Sequence, residues 1–524
     1  MTVQYVRDTL PGAGAGDSRG STGTPVPPAA GPPRLRAPQL TDLATAEIRE
    51  THGAILYLTA DRAYKRRKPV GPAAPTGAEL REREALCLAE VTLNRRLAPD
   101  VYLGVADLFD DAGTLVDHLV VMRRMPASRQ LSTLVRRGAR LAPLLRPIAR
   151  ALAVFHQRCE TSPRIAAAGE RSALEALWRE GLAGISVFRG SQLDAGVVDD
   201  IGRLALRYLA GRGELLAERT RAGWIRDGHG DLLAEDIFCL DDGPRILDCV
   251  EFDPLARAGD VLGDVASLAM DLERLGAAEE AADFLEDYRE FSGEVHPRSL
   301  QHFYVAYRAF TQAKTACVHG QGDPDAAERA RRLLAVAHRH LRSGRVRLAV
   351  VGGLPGTGKT TLASRLAEVG DWVLLRSDII RRELAGEPVG EPAGQPEVFG
   401  VGRYAPEVTD ATYTEMLRRA HAALCRGESV VLDASFSSAR HRELVAQLAG
   451  EVSADLVELH CVTAPEVAAA RIARRIAGGP GASEATQAIH QAMAARADPW
   501  PSATVVRTAV SVAEALQTVL NHLD

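Results

Sequence analysis

The chain has 524 residues, of which 46% are hydrophobic and 25% are charged, and its formal net charge at pH 7 is −5. This length predicts about two to four domains with sizeable cores, and the small negative charge argues against a nucleic-acid-binding surface. No apolar run reaches the roughly 18 residues that a membrane span needs, and no signal-peptide pattern opens the sequence. We therefore expect a cytoplasmic protein that has neither a membrane nor a nucleic acid as its partner.

The first 40 residues are rich in Gly, Pro, Ala, Ser and Thr. Such a segment cannot bury enough apolar surface to offset the entropy of ordering, so we predict a disordered tail over residues 1–40. A short capped helix is predicted over 42–53. The chain then reads as a hairpin over 54–70, a helix over 78–97, two strands within 101–125, and further helices. A small sheet, one helix, more sheet and then helices is the order typical of a two-lobed kinase.

Two charged residues of this first part stand out by their position. Lys65 lies on the return strand of the hairpin, and Glu90 lies in the middle of the helix that follows, where it could pair with Lys65. A single lysine on a strand is most often solvated. The residues alone therefore leave a phosphate-binding role for Lys65 open.

The stretch DGHGDLLAEDIFCLDDGPRILDCVEFD carries an acidic cluster. Short apolar strands flank Asp242-Gly243, which is a two-residue hairpin signal. With that turn, Asp236 and Asp248 lie at the same end of the hairpin, and Asp231 lies on the loop just before it. Three converging carboxylates are costly without a cation, so the pattern predicts a Mg²⁺ site with an adjacent general base. The alternative is a solvated acidic turn.

The chain after this cluster is predicted to be helical up to about residue 342. Asp264, in the first of these helices, is expected to anchor the catalytic loop rather than to take part in the chemistry. Residues 340–345 pass directly into the next predicted strand, which leaves little room for a linker. We therefore expect one domain over residues 41–343 and a second domain over residues 344–524.

The second domain opens with VRLAVVGGLPGTGKTT, a strand, a glycine-rich loop and a helix with the spacing GxxxxGK[ST]. Glycines let such a loop curl so that its backbone N–H groups point at phosphate oxygens. Lys359 adds a cation for the β- and γ-phosphates, and Thr360 can hold Mg²⁺ through its hydroxyl. The residues predicted to bind a nucleoside triphosphate are Gly353, Gly356, Thr357, Gly358, Lys359, Thr360 and Thr361.

Two carboxylates follow further strands of this domain. Asp378 comes after the strand over 373–375, at the carboxyl end where doubly wound sheets bind ligands. It is predicted to accept the proton of a substrate hydroxyl or to hold the substrate, and the alternative is a helix cap. Asp433 ends the strand over 430–432 and is predicted to join the Mg²⁺ shell, in the manner of a Walker B carboxylate. Capping of the strand end is the alternative for Asp433.

The first domain resembles the aminoglycoside-phosphotransferase-like kinases in the segments RAYKRRKPV, LNRRLAPDVYLGV, VMRRMP, HGDL, LDCVEF and YRAF. The resemblance implies that Asp231 is the catalytic base and that Asp236 and Asp248 are metal ligands. It also implies that Lys65 contacts ATP. Glu90 would be the helix partner of this lysine, and Met122 would begin the hinge beside the adenine.

Two departures from that family lie in the loop that carries Asp231. The family usually reads HGDLHxxN, whereas this chain reads HGDLLAED, with Leu233 in place of a common His and Asp236 in place of an Asn. An Asp can still ligate Mg²⁺, but it adds a negative charge beside Asp231 and Asp248. The departure predicts an altered metal affinity or a weakened kinase activity in the first domain.

The second domain resembles P-loop kinases of the zeta-toxin, gluconate-kinase and polynucleotide-kinase type, which belong to an AAA family. The helix over 465–478 resembles the lid of such kinases, whose arginines clamp the transferring phosphoryl group. Arg471, Arg474 and Arg475 of this helix would have that role; a solvated basic helix face is the alternative.

The tandem arrangement, over roughly residues 45–520, resembles a bacterial family of two-domain proteins. The expected fold is thus an α+β protein-kinase-like domain followed by an α/β P-loop NTPase domain with a parallel sheet. The expected function is a bifunctional kinase that uses ATP and Mg²⁺ to phosphorylate a hydroxyl of a small molecule. The alternative is a single P-loop kinase that is regulated by a ligand-binding first domain, and transfer to a nucleic-acid end is disfavoured by the net charge.

Overall fold

The structure is a computed structural model that describes residues 31–36, 43, 46–50, 53–68, 75–320, 323–386, 399–477 and 485–523. The first lobe of the first domain contains one sheet and one helix. Its elements are β1 (Arg34–Leu35), β2 (Glu47–Glu50), β3 (Ala54–Leu58), β4 (Arg62–Arg67), α1 (Gly77–Asn94), β5 (Tyr102–Phe109) and β6 (Leu115–Arg123).

The sheet has the strand order β1-β5-β6-β4-β3-β2, and every pair except β1–β5 is antiparallel. Helix α1 starts at a capping box in which the side chains of Thr76 and Glu79 each accept a backbone N–H of the other residue. Its buried residues include Cys87 and Val91, which join the core that covers one face of the sheet.

Two predictions for the N-terminal segment require comment. The helix predicted over 42–53 is wrong for residues 47–50, which form β2 and pair with β3, because pairing with a neighbouring strand outweighs local helix propensity. The predicted disordered tail lies mostly outside the described residues. Within it, Arg34 and Leu35 pair with the edge strand β5.

The second lobe of the first domain is mainly helical. Its elements are α2 (Leu131–Arg136), α3 (Ala142–Arg158), α4 (Pro163–Ala166), α5 (Arg171–Ile185), α6 (Ala195–Ala210), α7 (Gly213–Arg221), β7 (Ile225–Asp227), β8 (Ile237–Leu240), β9 (Gly243–Ile246), α8 (Pro254–Arg257), β10 (Ala258–Asp260), α9 (Val261–Arg274), α10 (Ala278–Ser292), α11 (Arg298–His319) and α12 (Pro324–Ser343). Helix α9 is at the centre of this lobe, because it is buried on nearly all sides. No helix in the described part of the chain is long and apolar enough to cross a membrane.

The predicted hairpin over 237–248 is present, but its predicted register is wrong. Leu240 pairs with Gly243, and Ile237 pairs with Ile246. The turn is therefore Asp241-Asp242, and Gly243 follows it with a φ of 125°. The left-handed backbone that glycine allows is used just after the turn rather than within it.

The second domain is a parallel sheet with helices on its faces. Its elements are β11 (Arg347–Gly352), α13 (Lys359–Gly370), β12 (Val373–Arg376), α14 (Ser377–Leu384), α15 (Pro406–Cys425), β13 (Val430–Asp433), α16 (Ala439–Glu451), β14 (Asp455–Val462), α17 (Pro465–Ala477), α18 (Gln487–Ala494), β15 (Thr504–Arg507) and α19 (Val512–Leu523). The five strands run parallel in the order β12-β13-β11-β14-β15. This is the predicted P-loop fold.

The two domains share one buried core. It continues from the helices of the first domain to one face of the parallel sheet of the second. Polar contacts between the domains lie just before the amino-terminal ends of β13 and β14. Arg207 donates a hydrogen bond to the carbonyl of Ala454 (2.9 Å), and Ser299 donates one to the carbonyl of Gly427 (2.7 Å). The P-loop follows the opposite, carboxyl ends of the strands, about 20 Å away at the rise of a six-residue strand.

The domain junction is packed tightly enough to exclude a single methyl group. A Cβ on Gly211 would lie 2.1 Å from the carbonyl oxygen of Val452 in the second domain. We expect Gly211→Ala to destabilise the protein by about 1–3 kcal/mol, because the backbone of one domain must shift. The measurement is urea unfolding, and the shared core predicts that both domains lose stability together.

Gly213→Ala is the matched control, since nothing lies within 4 Å of a Cβ at this position. It is expected to leave the unfolding midpoint nearly unchanged or slightly raised. A Gly211→Ala protein that unfolds like the wild type would show that the domains are not packed together as described.

Candidate active sites

A cleft of about 770 Å³ separates the two lobes of the first domain. The segment from Met122 to Ala127, which joins the lobes, lines this cleft together with apolar side chains of both lobes, among them Leu56 and Leu247. Charged side chains line it as well. The predicted residues that the structure brings to this cleft are Lys65, Met122, Asp231, Asp236 and Asp248.

Lys65 bridges the two lobes. Its Nζ lies 2.9 Å from Oε1 of Glu90 on α1 and 2.6 Å from Oδ1 of Asp248 in the second lobe. Glu90 is buried, which disfavours an isolated charge. Burial opposes protonation of Lys65, but the two carboxylates prevail and raise its pKa above the ordinary value. The predicted contact between Lys65 and Glu90 is therefore present, and Lys65 is charged.

The side chain of Asp264 holds the backbone of the loop that carries Asp231. The carboxylate of Asp264 accepts the backbone N–H groups of His229 (2.6 Å) and Gly230 (3.0 Å). His156 lies 3.3 Å from the same carboxylate. The prediction that Asp264 anchors the loop is confirmed by these hydrogen bonds.

The same loop is also tied to the first lobe. Arg96, which follows α1, donates hydrogen bonds to the carbonyls of Asp227 and Gly228, both at 2.9 Å. Asn94, the last residue of α1, accepts the N–H of Cys249 at 2.9 Å. These contacts fix α1, and with it Glu90, relative to the segment that carries Asp248.

The three carboxylates of the cleft differ in their protonation. Burial raises the pKa of Asp231 to about 6. Burial, Asp248 and Glu235 raise the pKa of Asp236 well above its ordinary value. Burial also opposes ionisation of Asp248, but the ammonium of Lys65 prevails and lowers its pKa. The departure from Asn to Asp at 236 therefore places a second carboxyl beside Asp248, and its raised pKa reflects burial and the neighbouring negative charges.

The residues of the cleft fit a Mg²⁺ ion only in part. Across the described residues, no three His, Cys, Asp or Glu side chains are grouped so that they could hold a metal by themselves. Mg²⁺ commonly uses one or two carboxylates together with phosphate oxygens and water. Asp236 and Asp248 fit this pattern, because a divalent cation would offset the repulsion that raises the pKa of Asp236.

The glycine-rich loop connects β11 to α13. Gly353, Gly356 and Gly358 have φ values of 145°, 83° and 84°, which favour glycine. A Cβ on Gly356 would also lie 2.6 Å from the carbonyl oxygen of Ala468 on α17. Thr357 is buried, and its hydroxyl donates to the carbonyl of Leu354 at 2.8 Å. The loop thus has the curled backbone that the sequence predicts.

Helix α13 begins at Lys359, followed by Thr360 and Thr361 in its first turn. Asp433 lies at the carboxyl end of β13 and is buried. Burial raises the pKa of Asp433, whereas the charge of Lys359 and a hydrogen bond from Thr360 oppose the rise. Its Oδ1 atom has no hydrogen-bond partner among the described residues. A buried carboxylate oxygen without a partner, beside Thr360, fits a Mg²⁺ shell.

Asp378 is the second residue of α14 and faces Arg381 one turn later. The two side chains form an ion pair at 3.2 Å, and the guanidinium of Arg381 lies 5.2 Å from the centre of the Tyr404 ring. Asp378 makes no side-chain cap at this helix. Its alternative assignment as a helix cap therefore receives no support from the structure.

The arginines of α17 lie near the loop but contact other groups. Arg471 donates to the carbonyl of Thr508 at 2.7 Å, beside Gly358. Arg475 donates to the carbonyl of Ala485. In this arrangement both guanidinium groups hold backbone carbonyls, and their predicted role as a phosphoryl clamp stays a prediction.

Several residues of both sites are absent from the sequence prediction. Arg376 lies opposite Asp433 in the parallel register, and its Nε is 3.3 Å from the carboxylate. Gln312 on α11 donates to Asp231 from 81 positions away. Arg96 holds the loop that carries Asp231. Only the resemblance of LNRRL could have signalled any of them, because contacts between distant elements leave no local pattern.

The fold and the two sites define a protein-kinase-like domain joined to a P-loop NTPase domain. A family profile described as an AAA domain matches residues 348–500. The uncharacterized protein Rv2004c of Mycobacterium tuberculosis and the uncharacterized protein Mb2027c of Mycobacterium bovis are each 39% identical over 471 residues. This match covers 90% of the chain and 94% of each relative. The chain belongs to the family of these mycobacterial proteins.

Solved structures resemble each domain separately. A choline/ethanolamine kinase family protein from Mesorhizobium loti is 16% identical and covers 57% of this chain and 92% of its own, with a TM-score of 0.35. A putative kinase from Chloroflexus aurantiacus is 23% identical and covers 34% of this chain and 96% of its own, with a TM-score of 0.28. Each is a partial likeness of fold.

The hydrogen bonds of Asp264 predict a pH-dependent contribution to stability. Burial opposes its ionisation, but His156 and Arg308 prevail, so the pKa of Asp264 lies well below its ordinary value. A lowered pKa stabilises the fold above the unfolded pKa of about 4, and this stabilisation is lost as the pH falls through the folded pKa.

We expect Asp264→Asn to lower the free energy of unfolding by about 2–4 kcal/mol at pH 7, because the asparagine amide places an N–H donor against a backbone N–H. Urea unfolding should show a constant difference from the wild type between pH 7 and pH 5, and a shrinking one below about pH 4. Asp283→Asn, on the exposed face of α10, is the control and should be neutral. A difference in the free energy of unfolding between Asp264→Asn and the wild type that grows as the pH falls would contradict the lowered pKa of Asp264.

Proposed function

We propose that the protein is an ATP-dependent phosphotransferase that moves the γ-phosphate of ATP to a hydroxyl group of a small molecule, with one active site in each domain. The observation that carries this proposal is the convergence of Lys65, Asp231 and Asp248 on one cleft, in which Lys65 contacts Asp248 at 2.6 Å. The P-loop of the second domain, with Lys359 and Asp433, supports a second site.

In the first site, bound Mg²⁺-ATP would supply the phosphoryl group and a divalent cation. Asp236 and Asp248 would hold the metal, and Lys65 would offset phosphate charge, since its ammonium is held in place by Glu90. Asp231 would accept the proton of the acceptor hydroxyl. A pKa of about 6 leaves Asp231 ionised at pH 7 and makes it a stronger base than an ordinary carboxylate.

In the second site, the loop amides and Lys359 would bind phosphates, and Thr360 and Asp433 would hold Mg²⁺. Asp378 would receive the proton of the acceptor hydroxyl, and its ion pair with Arg381 holds the carboxylate in one orientation. A guanidinium at this position also suits an acceptor that carries an anionic group.

The alternative function is a single P-loop kinase that is regulated by ligand binding to the first domain. Two observations favour it. Asp236 replaces the Asn that the resemblance implies, with a pKa raised well above its ordinary value, and the two domains share a buried core. A ligand that changes the conformation of the first domain would therefore also change the conformation of the second, through the packed contacts between them.

Two substitutions separate the two sites. We expect Lys359→Ala and Asp231→Asn each to reduce a different acceptor-dependent ATP turnover by at least about 100-fold, because each removes a group that acts in transfer. The measurement is ATP turnover with Mg²⁺ against a panel of small hydroxylated acceptors.

Arg365→Ala on the exposed part of α13 is the control for Lys359→Ala, and Asp283→Asn is the control for Asp231→Asn. Both controls should keep wild-type turnover. If only Lys359→Ala reduces turnover, the proposal of two kinases is wrong and the first domain is a regulator.

The pKa of Asp231 predicts a pH profile for the first site. Because the carboxyl must be ionised to accept a proton, the activity that depends on Asp231 should be constant above about pH 7 and fall about tenfold per unit well below pH 6. The activity that depends on Lys359 is the internal reference. An Asp231-dependent rate that is flat down to pH 4 would exclude Asp231 as the base.

A further inference from the structure

Helix α11 passes beneath the catalytic loop of the first domain and contacts it with two residues one turn apart. The side-chain amide of Gln312 donates a hydrogen bond from Nε2 to Oδ1 of Asp231 at 3.1 Å. Arg308, four positions earlier, donates to the carbonyls of Gly230 (2.5 Å) and Gly263 (2.9 Å). Residues at i and i+4 share one face of a helix, so this face of α11 holds both the backbone and the carboxylate of the loop.

The contact with Gln312 is the one side-chain hydrogen bond that Asp231 receives within the described part of the chain. A carboxylate on a loop can otherwise rotate about its side-chain bonds, which spreads its oxygen atoms over several positions. Binding one oxygen to an amide on a rigid helix removes that freedom. The second oxygen, Oδ2, is then left to receive a proton.

We propose that Gln312 is a positioning residue for phosphoryl transfer: its amide holds Oδ1 of Asp231 and thereby directs Oδ2 at the acceptor hydroxyl. This inference rests on the proposed role of Asp231 as the base of the first site. Proton transfer requires the base within hydrogen-bond reach of the hydroxyl, so the orientation of the carboxylate bears directly on the rate.

A neutral amide at position 312 suits a role of Asp231 as a base better than a cationic side chain would. Burial raises the pKa of Asp231, Arg308 and Gln312 lower it, and the negative charges of Asp248 and Asp271 raise it, with a result of about 6. A lysine or arginine at position 312 would add a full charge and depress this pKa, which would weaken the base. Gln312 therefore holds the carboxylate and lowers the pKa of Asp231 less than a cation would.

The test compares Gln312→Leu and Gln312→Glu with the wild type and with Thr315→Ala. Leucine has no donor, and an ionised glutamate would repel Asp231. Thr315 is exposed on the same helix and is the matched control. Thermal unfolding of each protein shows whether it is folded.

The first measurement follows the pKa of Asp231 by ¹³C NMR of carboxyl-labelled aspartate, with the signal assigned from Asp231→Asn. The second measurement gives kcat and KM for ATP and for the acceptor that shows Asp231-dependent turnover. We expect Gln312→Leu and Gln312→Glu to raise the pKa of Asp231 above about 6 and to lower kcat by about 10- to 100-fold, with KM for ATP little changed. Thr315→Ala should change none of these values.

The inference is overturned if folded Gln312→Leu protein keeps both the wild-type pKa of Asp231 and the wild-type kcat. It is also overturned if KM for ATP and kcat change together, as a general distortion of the cleft would cause. If Asp231→Asn removes no activity, the proposed function of the first site fails. The NMR titration still decides whether Gln312 holds the carboxylate, because it needs no turnover.

Discussion

The first domain depends on one constraint, which is that a charge buried between two lobes must be paired. Lys65 meets this constraint by contacting Glu90 on one side and Asp248 on the other. The two contacts link the sheet, helix α1 and the segment after β9, so the lobes cannot separate without exposing or isolating a charge. Arg96 and Asn94 add hydrogen bonds between the same parts. These contacts hold the two lobes together on either side of the cleft.

The second domain contacts the first near the amino-terminal ends of β13 and β14, whereas its P-loop follows the carboxyl end of β11. The shared core makes the domains one packed unit, while the P-loop lies at the opposite end of its strands from the polar contacts of the junction. The arrangement therefore suits two independent reactions as well as control of one domain by the other, and the choice depends on whether Asp231 is active.

Particular residues show how far the sequence predicts the structure. The pair of Lys65 with Glu90, the anchoring of the loop by Asp264 and the curled P-loop follow from local pattern and resemblance, and the structure contains them. The strand over 47–50 and the register of the hairpin at Gly243 differ from prediction. Both depend on which neighbouring strand is available, which local propensity does not encode.

The sequence by itself determined the two fold classes, because strand, glycine loop and helix are consecutive in the chain, as are the small sheet and the helices of the first domain. It also predicted most of the acidic and basic side chains that the structure brings to the cleft and to the P-loop. Only the tertiary structure decided their surroundings: the raised pKa of Asp236, the contacts of Arg471 with Thr508, and the hydrogen bond from Gln312 to Asp231. The physical reason is that burial and hydrogen bonding act between elements far apart in sequence, and they set pKa and orientation after the chain has folded.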